Sequence, residues 1–359
     1  MPVRHPVDPP AETGRWGAIR RRLPNPTMLS MLGLLSLPSY LSPVFGPLRP
    51  FVWFFLLGLW PFVGLLGSML RGGGDTDPAE QADPTDWIDM GGRGAHVRAV
   101  VSMLLVQFQP VVFVTGIAQL LGHVPILLRH RGRLPSPDSH DGEVDYRLPF
   151  DGEWTVVNGS PDCAHSHSWG ILTQRYAHDF VITDAEGRTH TDDRGGPDQY
   201  YCFGEPIAAP ADGVVVDSRN SHRDYHRTTG WLDPFQWSVL GNYVLIKHAD
   251  EEYSLSAHLQ KGSVTVAVGE AVDRGQQIGA CGNSGNTTEP HLHFHVQDRS
   301  NFFLGAGLPV EFGLVMTSHP RTTETYHDRS YIHSGQRVRH RDRGEIDSRS
   351  VDATAQTPG

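Results

Sequence analysis

Three stretches of this 359-residue chain carry no Asp, Glu, Lys or Arg: residues 23–48, 50–70 and 99–128. An apolar run of about 20 residues is long enough to cross a bilayer as a helix. The stretch 50–70, PFVWFFLLGLWPFVGLLGSML, meets that length, and Trp53 and Trp60 suit a membrane interface. A second span is expected at 101–121, weakened by Gln107, Gln109 and Pro110. A third at 28–46 is weakened by Pro38 and Pro43. Buried helices are the alternative reading of all three. The first apolar stretch starts well in from the N-terminus without an obvious cleavage site, so retained anchors are expected rather than a removed signal peptide. Arg15, Arg20, Arg21 and Arg22 place the N-terminus inside. Two spans then return everything after residue 130 to the cytoplasm, and three leave it outside. Arg129, Arg131 and Arg133 lean against export. Hydropathy leaves both topologies open.

The sequence changes character near residue 135. Short apolar runs alternate with Gly, Pro, Asp and Asn: WTVVN, YAHDFVI, GVVVDS, YVLIKHA, EYSLSAHL and HLHFHVQ. Many short strands at such spacing predict a mainly β fold, sandwich or barrel-like. From residue 318 the chain turns polar, with few aliphatic residues, and reads as a disordered tail over 318–359. The expected organisation is an N-terminal segment 1–27, a helical membrane region 28–130, a globular domain 140–317 and that tail.

A net charge of -10 disfavours a nucleic-acid partner. Three cysteines, Cys163, Cys202 and Cys281, form no CxxC pair and so make neither a disulfide scaffold nor a structural zinc site. A single bridge between Cys202 and Cys281 stays open.

Residues 289–298, EPHLHFHVQD, place His291, His293 and His295 at every second position. In a strand they share one face, while Leu292, Phe294 and Val296 turn to the other. A lone strand histidine is usually structural. Three in a row on one open face suit a metal, acid–base chemistry, or both. Other candidates lie upstream: His258 in YSLSAHL, Asp179 in QRYAHDFVI, and His165 and His167 in HSHSW. A catalytic zinc takes about three such ligands and keeps one position open. Gly279, Gly282 and Gly285 surround a tight loop feeding the histidine strand, where glycine permits positive φ and close chain approach.

The run GNSGNTTEPHLHFHVQD resembles the signature end of the lysostaphin-type (LytM) zinc metallopeptidases, in which G-x-S-G-x-(S/T)-x-x-P-H-L-H-F closes the active site. YSLSAHLQKGSV, YYCFGEPIAAPADGVVVDS and GNYVLIKHADEEYSL fit the preceding segments, and SHSWGILTQRYAHDFVI resembles the opening of the domain. The resemblance covers roughly residues 150–300. It implies a β-sandwich or barrel-like metallopeptidase domain (a duplicated hybrid motif) with Zn2+ as cofactor and a cell-wall cross-link peptide as substrate. His293 and Asp179 would be zinc ligands, and His258 and His291 would be catalytic.

Two departures stand out. The family's commoner first motif is H-x-x-x-D, and Arg175 occupies the histidine's place. His167 is then the expected first ligand, with His165 second. His178 adjoins Asp179 but should face away in a strand. His295 stands where the family more often has Glu or Gln, and reads either as a residue orienting a ligand or as a solvated histidine.

The implied activity is a membrane-anchored zinc endopeptidase with its catalytic domain on the extracellular face. A relative without activity, acting as a binding or regulatory module, is the main alternative. A biotinyl- or lipoyl-type carrier is disfavoured, because Lys247 lies in an apolar run and Lys261 lacks the expected flanking residues.

Overall fold

The computed structural model describes residues 30–59, 84–90, 92–106, 109–163, 166, 168–191 and 195–341. The chain divides into two compact units, Met1–Asp83 and Pro84–Gly359. In the first unit a 3-10 helix Ser30–Ser36 leads into a short helix α1 (Pro38–Leu41) and a second 3-10 helix Pro43–Leu59. Pro47 and Pro50 lie inside that last element, and proline removes the donor an α-helix needs. The described part of the expected span 50–70 is therefore not an α-helix, and its remainder lies outside the described residues.

The second unit opens with helices α2 (Gly92–Val106) and α3 (Pro110–Arg129). The span expected at 101–121 is interrupted between them. Pro110 cannot continue a helix but suits its first turn, and the Gln109 side chain accepts a hydrogen bond from Val112 N at 2.7 Å. Among the described residues, α3 is the one helix long and apolar enough to cross a membrane. Its contacts run along its length. Gln109 Nε2 donates to Gln236 O at 2.5 Å, Leu172 N donates to His123 Nε2 at 3.2 Å, and Arg129 donates to both oxygens of Asp298 at 2.9 and 2.8 Å. Phe113, Val114, Leu121, Val124 and Leu128 remain exposed.

The rest is β-structure: β1 (Glu153–Asn158), β2 (His178–Val181), β3 (Pro206–Ala208), β4 (Gly213–Arg219), β5 (Asn242–Ala249), β6 (Glu252–Leu259), β7 (Ala271–Val272), β8 (Gln277–Ala280), β9 (Leu292–Gln297), β10 (Gly307–Leu308), β11 (Phe312–His319), β12 (Thr322–Ser330) and β13 (Arg337–His340). One antiparallel sheet runs β12-β11-β13-β1-β2-β9-β6-β5-β4-β7, with β10 on β9, and β3 pairs with β8 separately. The mainly β expectation holds. The arrangement is one long sheet with a two-stranded companion, and its main core joins Phe180, Phe294, Val244 and Phe312 of the large sheet to Ile207 and Ile278 of the small one. Burying a side chain such as Phe294 contributes about 2–3 kcal/mol.

The polar stretch expected as a tail from 318 instead contains β12 and β13. Strand β13 pairs with β1 and β11. Strand β12 is the sheet's edge, mostly exposed, and polar side chains there discourage pairing with other chains. Residues 342–359 lie outside the described residues.

Candidate active site

Three central strands converge on one face of the sheet. Asp179 on β2 sits opposite His293 on β9, and Ala257 on β6 flanks His293 on the other side. Alternation in β9 follows the sequence: Leu292, Phe294 and Val296 join the core, while His293 and His295 face the other way. That face is not open. His293 is 6% exposed and His295 fully buried, with Phe302 near the latter's ring. His178 turns to the core side, stacked on Phe180.

Regular pairing would send His258 to the core face, one residue beyond Ala257. The register breaks there: Tyr243 pairs with Ala257 and Asn242 with Leu259, leaving His258 as the extra residue. Its φ of 62° is a left-handed conformation that non-glycine residues rarely adopt. This bulge swings the imidazole to within 4.8 Å of the His291 ring and 5.8 Å of the His293 ring, centroid to centroid. His258 N donates to Leu240 O at 3.1 Å, and the ring Nδ1 lies 2.8 Å from Ser284 O. A carbonyl only accepts, so Nδ1 carries the hydrogen and Nε2 keeps its lone pair. Burial, reinforced by the neighbouring His291 and His293, holds the His258 pKa well below its ordinary value.

His291 is held the same way. Its Nδ1 lies 2.9 Å from Glu289 O and 3.0 Å from Thr287 Oγ1, while Nε2 faces Asp179 Oδ1 at 3.8 Å. The glycine loop makes this possible. Gly285 has φ 90°, and a Cβ there would collide with the Gly241 backbone. Close approach of these two segments puts Ser284 O under His258.

Asp179 Oδ1 meets His293 Nδ1 at 2.8 Å, and Asn158 Nδ2 donates to the other carboxylate oxygen at 3.0 Å. Asp179 and His293 are of the side-chain types that bind zinc, and they supply two of the three protein ligands a catalytic zinc takes. Among the described residues no group of three or more His, Cys, Asp or Glu side chains is arranged to hold a metal. His167 and His165 lie outside the described residues. Arg175, which stands where the sequence resemblance led us to expect a histidine, is half-buried with its guanidinium 4.9 Å from the Trp169 ring centroid.

The structure thus brings together His258, His291, His293 and Asp179. Sequence reasoning missed Asn158, which steers Asp179, and Gln297, whose Oε1 lies 2.8 Å from His295 Nε2. It also missed Glu289, 4% exposed, with Oε1 lacking a partner. Burial pushes the Glu289 pKa up to about 8, partly offset by hydrogen bonding from Tyr200. Cys202 and Cys281 are free thiols, both buried, and Cys202 Sγ donates to Pro290 O at 3.2 Å.

Asp179, His258, His291 and His293 thus gather beside the glycine loop on strands β2, β6 and the entry to β9. Residues 195–303 match Peptidase family M23, and the chain carries an M23 domain of the LytM/lysostaphin type. Asp179 lies upstream of that match. The chain is 37% identical over 167 residues to the peptidoglycan DD-endopeptidase ShyA of Vibrio cholerae, covering 46% of this chain and 30% of that protein. It is 35% identical over 99 residues to ShyC of the same organism, covering 28% and 19%. It is 33% identical over 144 residues to the murein hydrolase activator NlpD of Salmonella dublin, covering 40% and 33%. The chain therefore spans about a third or less of the length of these curated relatives.

Proposed function

We propose that this protein is a zinc endopeptidase that hydrolyses peptide cross-links of a peptidoglycan-type cell wall. The observation that carries the reading is the matched anchoring of His258 and His291. Each fixes Nδ1 on a backbone carbonyl and leaves Nε2 beside the Asp179–His293 pair. Asp179 and His293 would hold the zinc together with His167. When bound, zinc supplies Lewis acidity, polarising the scissile carbonyl and making water more acidic. His291 Nε2 is placed to take the proton of the attacking water. His258 Nε2 is placed to hydrogen-bond the developing oxyanion once protonated, or to pass a proton to the leaving amine. Such acid–base assistance contributes about 10²–10⁴-fold.

Membrane attachment through the apolar region 28–130, with the catalytic domain on the extracellular face, completes the proposal. It is supported by the apolar side chains that α3 leaves exposed, Phe113, Val114, Leu121, Val124 and Leu128, which would meet a bilayer surface while the opposite side of the helix stays on the β domain. Such a surface is unusual for a water-exposed helix.

Arg175 favours one second reading, a binding or regulatory module without activity. A cation at the expected ligand position opposes metal binding.

The test uses the full chain in detergent with zinc, purified peptidoglycan and synthetic cross-bridge peptides. Mass spectrometry reads new amino termini. Cleavage that disappears with chelator and in His293→Ala supports the endopeptidase. Intact substrate with zinc bound refutes the proposed substrate, and absence of zinc binding supports the module.

A further inference from the structure

The polar face of β9 continues past the proposed ligand. His293 Nε2 lies 3.0 Å from His295 Nδ1, His295 Nε2 lies 2.8 Å from Gln297 Oε1, and Gln297 Nε2 donates to Arg299 O at 2.6 Å. His295 and Gln297 are 0% and 1% exposed. The direction of every hydrogen in this chain follows from its far end.

Arg299 O can only accept, so the Gln297 atom bonded to it is the amide nitrogen. That settles the amide orientation, which is otherwise ambiguous. Gln297 Oε1 is then the acceptor facing His295, and His295 Nε2 carries a hydrogen. A second hydrogen on His295 Nδ1 would make a fully buried imidazolium whose hydrogen-bond partners, His293 and Gln297, include no anion. Burying an unpaired charge is costly. His295 Nδ1 therefore accepts, and His293 Nε2 donates to it.

Asp179 works in the opposite sense. A carboxylate 2.8 Å from an imidazole Nδ1 favours a hydrogen on that nitrogen, as in the Ser-His-Asp triad. Asp179 alone would be satisfied by a hydrogen on Nδ1 with the lone pair on Nε2; meeting both contacts takes a hydrogen on each ring nitrogen, and the one shared with Asp179 is the one a metal would displace.

We infer that His295 and Gln297 are positioning residues: they retain a hydrogen on Nε2 of His293, so that Nδ1 is the nitrogen given up to a metal beside Asp179. The purpose of this arrangement rests on the proposed zinc site, but the hydrogen placement does not. His295 is thereby a partner that orients a ligand rather than a solvated strand histidine.

The experiment is a long-range proton–nitrogen correlation spectrum of the full chain, labelled with 15N-histidine, without metal and with zinc. The expected result is a His293 Nε2 that bears hydrogen in both states, with only the Nδ1 signal moving when zinc binds. His295→Gln keeps an acceptor for His293 and should preserve the pattern, with zinc affinity within about threefold of the parent. His295→Leu removes the acceptor. Its metal-free His293 should carry hydrogen on Nδ1, and zinc affinity should fall about 10–100-fold in chelator competition. A wild-type His293 lacking hydrogen on Nε2 overturns the inference, even if zinc binds. A protonated Nε2 without zinc uptake supports the hydrogen placement and refutes the zinc site instead. If His295→Leu does not fold, the wild-type and His295→Gln spectra still decide.

Discussion

Replacing Glu289 by Gln should stabilise this protein, and by an amount that grows with pH. The Glu289 carboxyl is buried two residues before His291, and its pKa rises from 4.5 to about 8, chiefly through burial. A carboxyl whose folded pKa exceeds its unfolded value favours the folded state in its neutral form. That contribution is complete below pH 4.5 and is lost as pH rises through 8. Each pH unit between those limits costs about 1.4 kcal/mol. The loss reaches about 3 kcal/mol at pH 7 and about 4 kcal/mol at pH 8. Against a net stability of about 5–15 kcal/mol for a typical domain, this is a large fraction.

Glutamine keeps the shape and an oxygen for Tyr200 but never ionises in this range. Urea unfolding at pH 4.5, 6, 7 and 8, followed by tryptophan fluorescence, should give curves that coincide within about 1 kcal/mol at pH 4.5 and separate steadily above it. A stability difference that stays constant from pH 4.5 to 8 would refute the reasoning. It would mean that Glu289 ionises in the folded protein much as it does in the unfolded chain.

Three further outcomes follow from the geometry. His258→Ala and His291→Ala should each lower kcat about 10²–10⁴-fold on cross-bridge peptides while leaving zinc stoichiometry intact, measured by mass spectrometry of products and metal analysis. Phe294→Ala, at a fully buried core position, should cost about 3–5 kcal/mol in urea unfolding, and a loss under 1 kcal/mol would contradict the packing described. Truncation after residue 320 removes β12 and β13, and with β13 a hydrogen-bonded neighbour of β1. The shortened chain should be degraded by dilute protease under conditions where the full chain survives.

Much of the site was legible because strand alternation is a local property. The period of two in HLHFHV gave the two faces of β9, and the aliphatic runs around His258 and Asp179 marked their strands. The details that depend on neighbouring strands were not legible. Nothing in EYSLSAHL announces the bulge at His258, which arises from how β6 and β5 fall out of step. Asn158 reads as a strand-ending polar residue until β1 lies beside Asp179. Glu289 reads as a surface charge, since carboxylates are rarely buried without partners. The error at 318 has a similar origin. Hydrophobic patterning finds strands that bury a face, and the exposed edge strand β12, TTETYHDRS, buries none. The helix boundary at Pro110 was misplaced because hydropathy is blind to the missing donor of proline.

The one-residue bulge at His258 also bears on how such a domain could fall silent. With Ala257 and Leu259 in their places, a single-residue deletion at this point would restore regular pairing. No other histidine would need to change, and the strand order could persist. The proposed pairing of His258 with His291 would be lost by a change of spacing rather than of chemistry. If the proposed role of His258 holds, the spacing between Tyr253 and Leu259 matters to activity as much as the PHLH run does.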